Sequence, residues 1–291
     1  MSEEKSLLDI IKSEVKTSKT SKKSKVKKYE KTIEPIKYNR EHIEVNVDDL
    51  HDFKNHPFKV EEDKDMEALK ESIRSNGVMT PILVRQVKKQ EQEQDVYEII
   101  SGHRRKFACK GLGIKTIPAE LIRDCNDSQA IRMMVCSNLQ RTRNKYSEML
   151  KACTMMYNAM LEEALGQAKK QGGYDSNREE EITSEIQEKV VNIAGIRLKT
   201  LQSFIEVKEL FYENPARLNS VLNFIDKGKI PRSFIDVVSK INDQEWIEIT
   251  DFLSEDSKRH ITSEQAKGIK KKYEENKEQQ QVVSSDNTNE Q

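Results

Sequence analysis

The chain has few of the features that mark a metalloprotein, a secreted protein or a membrane protein. Its four cysteines, Cys109, Cys125, Cys136 and Cys153, form no C-x-x-C pair, and no histidine lies at metal-ligand spacing from them. They read as small buried hydrophobes of a reducing compartment rather than as a zinc site. No apolar run approaches the roughly 20 residues that a membrane helix needs. The opening residues Met1-Ser2-Glu3-Glu4 do not begin a secretory signal. A soluble, cytoplasmic protein with no membrane partner is expected. The chain also lacks net charge, because 50 Lys and Arg balance 50 Asp and Glu. Any nucleic-acid contact must therefore come from local patches. Apolar residues make up only 35% and charged residues 34% of the chain. Part of it is expected to be disordered, and the folded part to be helical with solvated faces.

The patterning divides the chain into four regions. Residues 1–32 read as a flexible basic arm, with Leu7, Leu8, Ile10, Ile11 and Val15 at the spacing of a short amphipathic helix. Residues 33–126 read as a compact α+β domain. Its elements are short strands near 43–45, 81–84, 96–100 and 114–122, a helix over 63–75 stopped by Asn76-Gly77, and a helix after residue 102. Residues 127–254 read as helical, with helices near 130–139, 147–168, 183–193, 197–207, 219–226, 231–241 and 243–253. The Met-rich stripe of Met155, Met156 and Met160 is read as core. Residues 255–291 read as a last helix over 263–276 that fades into a disordered polar tail.

Chemistry concentrates in Ser101-Gly102-His103-Arg104-Arg105, directly after the apolar run 96–100. Glycine permits a left-handed turn and close approach of a ligand. Two adjacent guanidiniums can each grip a phosphate bidentately. A helix that starts there adds its amides and dipole. The pattern points to a nucleotide or polyphosphate. A second pattern lies downstream, where Ile186, Val190 and Ile193 face inward, Gly195 supplies a turn, and a helix over 197–207 turns Leu201, Phe204 and Ile205 inward. This is the spacing of a helix-turn-helix with an overall span of about 183–207. Its outer face offers Arg197, Lys199, Thr200, Gln202 and Ser203, residue types that contact base edges and phosphates.

Three segments, in order, resemble the ParB/RepB-type chromosome and plasmid partition proteins. The first runs from Asn55-His56-Pro57 through the helix to Ile73 and Asn76-Gly77-Val78-Met79-Thr80-Pro81-Ile82-Leu83-Val84, and is similar to the family's opening box, in which "I…G…QPI.VR" follows a helix. Residues 101–119 are similar to its "GERR.RA…G…IPA" box. Ser137-Asn138-Leu139-Gln140-Arg141 is similar to its "ENLQR" box. The apolar positions of 195–210 and the segment 226–230 extend the resemblance over about 40–241.

The resemblance implies a ParB/sulfiredoxin-like α+β domain that binds CTP with Mg²⁺ and acts as a clamp on DNA, followed by an all-α helix-turn-helix domain. It places Gly102, Arg104 and Arg105 at the phosphates, Asn138 at the metal and Arg141 at the triphosphate, with His103 among the cofactor-binding residues. It further implies a homodimer on double-stranded DNA, and a ParA-type ATPase docked on the N-terminal arm near Leu8, Ile11, Lys12 and Lys16. His103 stands where the family often has Glu. Ser137 replaces the acidic residue before Asn, a natural candidate for ordering Mg²⁺ or water, so a CTPase activity is left open. The alternative on the same scaffold is a transcriptional regulator or nucleoid-associated DNA binder without an ATPase partner. A nuclease fits less well, because no carboxylates cluster near Arg104 in the sequence.

Overall fold

The computed structural model describes residues 7–14, 38–87, 96–139, 144–172 and 174–286. The expected basic tether beyond residue 14, including Lys16, lies outside the described residues, as does Arg141. The chain divides into two compact units. One comprises Lys28–Asn144 with Glu148–Phe204, and the other comprises Met1–Lys27, Lys145–Ser147 and Ile205–Gln291.

The first unit is built on a five-stranded mixed sheet with order β1-β5-β3-β4-β2. The strands are β1 (Arg40–Asn46), β2 (Leu50–His51), β3 (Ile82–Val87), β4 (Val96–Ser101) and β5 (Thr116–Ile122). β1 pairs antiparallel with β5, β5 parallel with β3, β3 antiparallel with β4, and β4 parallel with β2. The α+β arrangement expected from the sequence is found. Helix α2 (Lys64–Asn76) starts where Asp63 accepts a hydrogen bond from the Met66 amide, and it ends at Gly77 with φ +71°. Helix α3 is His103–Gly111. The α2 residues Met66 and Ile73 and the α3 residues Ala108 and Cys109 pack with Val84, Ile99, Ile117 and Leu121 of the sheet into one core.

The opposite face of β3 and β4 is different. Side chains alternate along a strand, so the neighbours of Val84 and Ile99 point away from that core. These neighbours are Arg85 and Glu98, directly opposed across the pair. Both are nearly buried, and Arg85 Nε and Nη2 lie 2.7 and 2.6 Å from Glu98 Oε2. Arg85 Nη1 also reaches Asp127 Oδ1 at 2.6 Å. Asp127 opens α4 (Asp127–Leu139), which packs on β4 and belongs to this unit. The start of α4 is a reciprocal cap, in which the Gln129 amide donates to Asn126 Oδ1 and the Asn126 amide to Gln129 Oε1. Helices α5 (Tyr146–Gln171), α6 (Ser176–Ala194) and α7 (Leu198–Leu210) come next along the chain. α6 begins at Ser176 rather than near 183, because Asp175 accepts from the Arg178 amide and caps an acidic first turn.

The second unit holds α8 (Pro215–Asp226), a 3-10 turn at Arg232–Phe234 continued by α9 (Ile235–Val238), α10 (Asp243–Ser254) and α11 (Ser263–Asp286). Trp246 is buried there as expected, with its ring edge-on to Phe224 and its indole N–H donated to Ser220. Lys229 binds the end of α10, its ammonium lying 2.8–3.0 Å from the carbonyls of Leu253, Asp256, Ser257 and Arg259. Within the region read as a flexible arm, residues Leu7–Glu14 form helix α1. It packs on α10 and α11 and buries Leu7 and Ile11, so Ile11 is covered within the chain itself.

The Arg85–Glu98 pair gives a direct expectation. Glu98→Gln leaves a buried guanidinium with only the exposed Asp127 as a charged partner, and stability should fall by about 2–3 kcal/mol. The joint replacement Arg85→Met/Glu98→Leu should recover part of that loss, measured as the shift in a chemical denaturation midpoint.

Candidate functional site

The site begins with a defect in the sheet. Leu83 pairs with Ser101 but Val84 pairs with Ile99, so β4 carries an extra residue at Ile100. Such a bulge bends a strand and re-aims the chain beyond it. Gly102 comes directly after the strand, with φ +115° and ψ +17°, and turns the chain into α3. A Cβ on Gly102 would stand 2.5 Å from Ile82 Cγ2 and 2.9 Å from Ile82 Cβ. Both the backbone angle and the space therefore demand glycine. The first-turn amides of α3 have no acceptor inside the helix, so this end offers donors and the positive end of the helix dipole to an anion.

Three basic side chains leave the first turn of α3, and each is already engaged. Arg104 meets Asp63 in a fork, Nη2 to Oδ1 at 2.8 Å and Nη1 to Oδ2 at 3.4 Å. Arg105 donates through Nη1 to the carbonyls of Thr80 and Pro81. Burial holds the Arg105 guanidinium below its ordinary pKa, opposed by the neighbouring Cys109 thiol. Lys106 pairs with Asp52 at 2.9 Å. Burial pushes the Asp52 carboxyl up, but the hydrogen bond and charge of Lys106, with His103 and His56 adding, bring it below the usual carboxylate range.

The turn thus brings together segments far apart in sequence. Thr80, Pro81 and Ile82 supply the carbonyls under Arg105 and the side chain against Gly102. His103, expected among the cofactor-binding residues, turns towards the loop after β2. It is 8% exposed, its Nε2 accepts from the Phe53 amide at 3.3 Å, and its ring stacks on His56 with centroids 3.8 Å apart. It forms a wall under the loop after β2.

Asn138 sits on another element, at the end of α4, and is nearly buried. Its Nδ2 donates to Met134 O at 2.8 Å and lies 3.3 Å from Ser137 Oγ. The carboxamide oxygen is the atom with the chemistry to meet a hard cation. Ser137 Oγ donates back to Met134 O at 2.9 Å and brings no carboxylate. Among the described residues no group of three or more His, Cys, Asp or Glu is placed to hold a metal ion. A magnesium ion would accordingly need phosphate oxygens and water for most of its ligands.

The second candidate surface lies on α7. Leu201 and Phe204 are buried, while Arg197, Lys199, Gln202 and Ser203 are exposed and Thr200 is half-buried. Ile205, expected inside, is half-buried, and Val207 takes the inner position instead. Gly195 ends α6 at φ +64°, the turn that the helix-turn-helix spacing requires. Arg197 precedes the helix and its carbonyl accepts from the Thr200 and Leu201 amides.

Sequence reasoning missed Asp63, Asp52 and His56 as members of the first site. Asp63 is legible as a helix cap three residues before Met66, but its pairing with Arg104 depends on α2 and α3 lying side by side. Gly102→Ala should lower stability by about 2–4 kcal/mol through backbone strain and overlap with Ile82. A thermal melt checks this, and an unchanged midpoint would mean that the turn is not built as described.

Comparison with known proteins finds similarity over the residues of this site. The family model described as the ParB N-terminal domain matches residues 9–139. A chromosome-partitioning protein ParB from Myxococcus xanthus is 34% identical over 99 residues, 34% of this chain and 31% of that protein. A probable plasmid-partitioning protein ParB from Thermus thermophilus is 27% identical over 187 residues, 62% of this chain and 60% of that protein. The chain thus matches less than two thirds of the length of either relative. The crystal structure of a C-terminally truncated chromosome-partitioning protein ParB from Caulobacter crescentus, complexed with CTP-γ-S, aligns at TM-score 0.31 and 21% identity, covering 72% of this chain and 98% of that one. The residues that match this family model, 9–139, include the bulged strand, the Gly102 turn and the paired arginines.

Proposed function

We propose that this chain is a DNA-binding partition protein whose sheet-bearing unit takes up CTP with Mg²⁺ at the Gly102 turn. The observation that carries the reading is the turn itself. A glycine at φ +115° opens a helix whose first residues are His103, Arg104 and Arg105, so amides, dipole and two arginines belong to one helix end. That is chemistry for a polyphosphate rather than for a neutral ligand. The match of residues 9–139 to the ParB N-terminal domain model and the similarity to partition proteins support the assignment. Arg104 and Arg105 would hold phosphates, Gly102 would let them approach, and Arg141 would join them at the triphosphate. Asn138 Oδ1 would meet the metal, whose charge would offset that of the phosphates. With Ser137 in place of an acid, nucleotide binding is the reading, and hydrolysis has no carboxylate at that position to serve it.

Helix α7 would enter the major groove of a centromere-like site, with Arg197, Lys199 and Gln202 as base or phosphate contacts and Thr200 and Ser203 beside them. Nucleotide would favour closure of two copies around DNA, which requires tighter binding in the closed state than in the open one. The working form is then a cytoplasmic homodimer on nucleoid or plasmid DNA. A ParA-type ATPase would be met by the N-terminal arm through exposed groups such as Lys12, since Leu7 and Ile11 are covered.

Calorimetric titration of CTP, ATP, GTP and UTP with Mg²⁺ tests the first half. Selective uptake of CTP that disappears in Arg104→Ala is the expected result. Absence of any nucleotide binding, with and without cognate DNA, would sink the reading. For the second half, Arg197→Ala or Gln202→Ala should weaken binding to the cognate site by about 1–3 kcal/mol. Binding to unrelated DNA should change less, and equal losses on both would remove α7 from sequence recognition.

A further inference from the structure

We infer that Asp63 is an internal competitor for the anion site, a carboxylate latch that occupies Arg104 until a polyphosphate displaces it. The inference rests on the nucleotide reading above and concerns how that site is regulated.

Asp63 does two things with one carboxylate. Oδ1 accepts from the Met66 amide at 2.8 Å, which caps α2, and from Arg104 Nη2 at 2.8 Å. Oδ2 faces Arg104 Nη1 at 3.4 Å. The guanidinium thus meets two oxygens of one planar acid, the same fork geometry with which arginine grips a phosphate. The pairing is mutual, since the Arg104 hydrogen bond, with the Met66 amide, holds the Asp63 carboxyl below its usual range. Neither partner is sealed off, with 22% of the Arg104 and 45% of the Asp63 side chain exposed. A ligand can therefore reach the pair and exchange one anion for another.

The neighbouring arginine is held differently. Arg105 is bonded to the neutral carbonyls of Thr80 and Pro81, so its charge is not cancelled there. In the resting turn Arg105 attracts, while Arg104 is neutralised by a group of its own chain. A ligand with one anionic group can be satisfied by Arg105. A ligand with several must open the latch to use Arg104, and its apparent affinity is reduced by the fraction of molecules in which the latch is closed. The cap on α2 does not depend on Arg104, because the Met66 amide keeps Oδ1 when the guanidinium leaves. The latch can open without unwinding the helix.

The test removes the charge and keeps the cap. Asn and Ser both serve as N-caps, so Asp63→Asn and Asp63→Ser leave α2 with an acceptor but give Arg104 no anion. Asp65→Asn is the control, an exposed acid in the first turn of the same helix. CTP–Mg²⁺ and inorganic triphosphate are titrated calorimetrically into the full chain. The expected result is affinity tighter by about two- to fivefold in both Asp63 variants, the range an exposed ion pair can impose on a competitor. The gain should shrink at high salt, and Asp65→Asn should give little of it.

Unchanged or weaker affinity in both Asp63 variants, with the wild type binding normally, overturns the latch and leaves the nucleotide reading standing. An equal gain in Asp65→Asn overturns it too, since that would be a general loss of negative field. No binding by any form overturns the nucleotide reading, and the latch with it.

Discussion

The buried pair of Arg85 and Glu98 is the constraint on which the sheet-bearing unit depends. Two charges removed from water cost several kcal/mol each unless their mutual geometry and further hydrogen bonds offset the loss. Here the offsets are drawn from all sides. Burial works against the Arg85 charge, but hydrogen bonds to Asp127 and Glu98 outweigh it and raise its pKa. The guanidinium also lies over the Phe53 ring at 5.6 Å, and Glu98 Oε1 receives the Lys54 amide at 3.4 Å. Strand pairing, the start of α4 and the loop after β2 are thereby required to agree on one arrangement. A purely apolar contact would tolerate sliding, whereas a pair that must be satisfied in the dry interior does not. The register fixed between Arg85 and Glu98 sets where the bulge at Ile100 falls, and so where the Gly102 turn emerges.

That turn is an electrostatic problem as much as a backbone one. Three consecutive basic residues at a helix N-terminus oppose the dipole, which favours acids there. The protein offsets this locally with Asp63 for Arg104, Asp52 for Lys106 and two carbonyls for Arg105. The same charges that would hold a polyanion are therefore tolerated in its absence. The opening and second boxes of the family resemblance meet here in space. Thr80, Pro81 and Ile82 come from one, and Gly102 and Arg105 from the other. The two segments that resemble the family thus share one contact.

Much of this is legible in the sequence. The helix stop at Asn76-Gly77, the turn at Gly102, the helix pair around Gly195 and the buried Trp246 each obey a local rule about glycine, capping or apolar spacing. Two kinds of feature escape such a reading. Caps are easily undervalued: Asp175 carries α6 back to Ser176 and the Asn126–Gln129 box carries α4 back to Asp127, although both signals are present in the sequence. Long-range polar partners are invisible. Lys229 reaches four carbonyls between Leu253 and Arg259, and Asp63 finds Arg104 across 41 positions. Nothing local marks a lysine or an aspartate as structural when its partner is decided by how helices pack. His103 shows the same limit. Its position beside two arginines makes it look like a ligand, and only the loop folded over it gives its ring nitrogen the Phe53 amide to accept.

The zero net charge of the chain bears on how α7 could meet DNA. A duplex attracts whichever local surface carries positive potential. Along α7 the charge is graded, with Arg197 and Lys199 exposed at its start and Glu206 and Glu209 exposed towards its end, Lys208 between them. The helix dipole runs in the same sense, positive at the N-terminus. Both terms favour an approach in which the first turn of α7 reaches the phosphates and the acidic end stays outside. The exposed Gln202 and Ser203 then lie one turn behind the leading charges, where hydrogen-bonding groups can meet base edges. Orientation on DNA would thus be set by a gradient within thirteen residues, without any overall excess of positive charge.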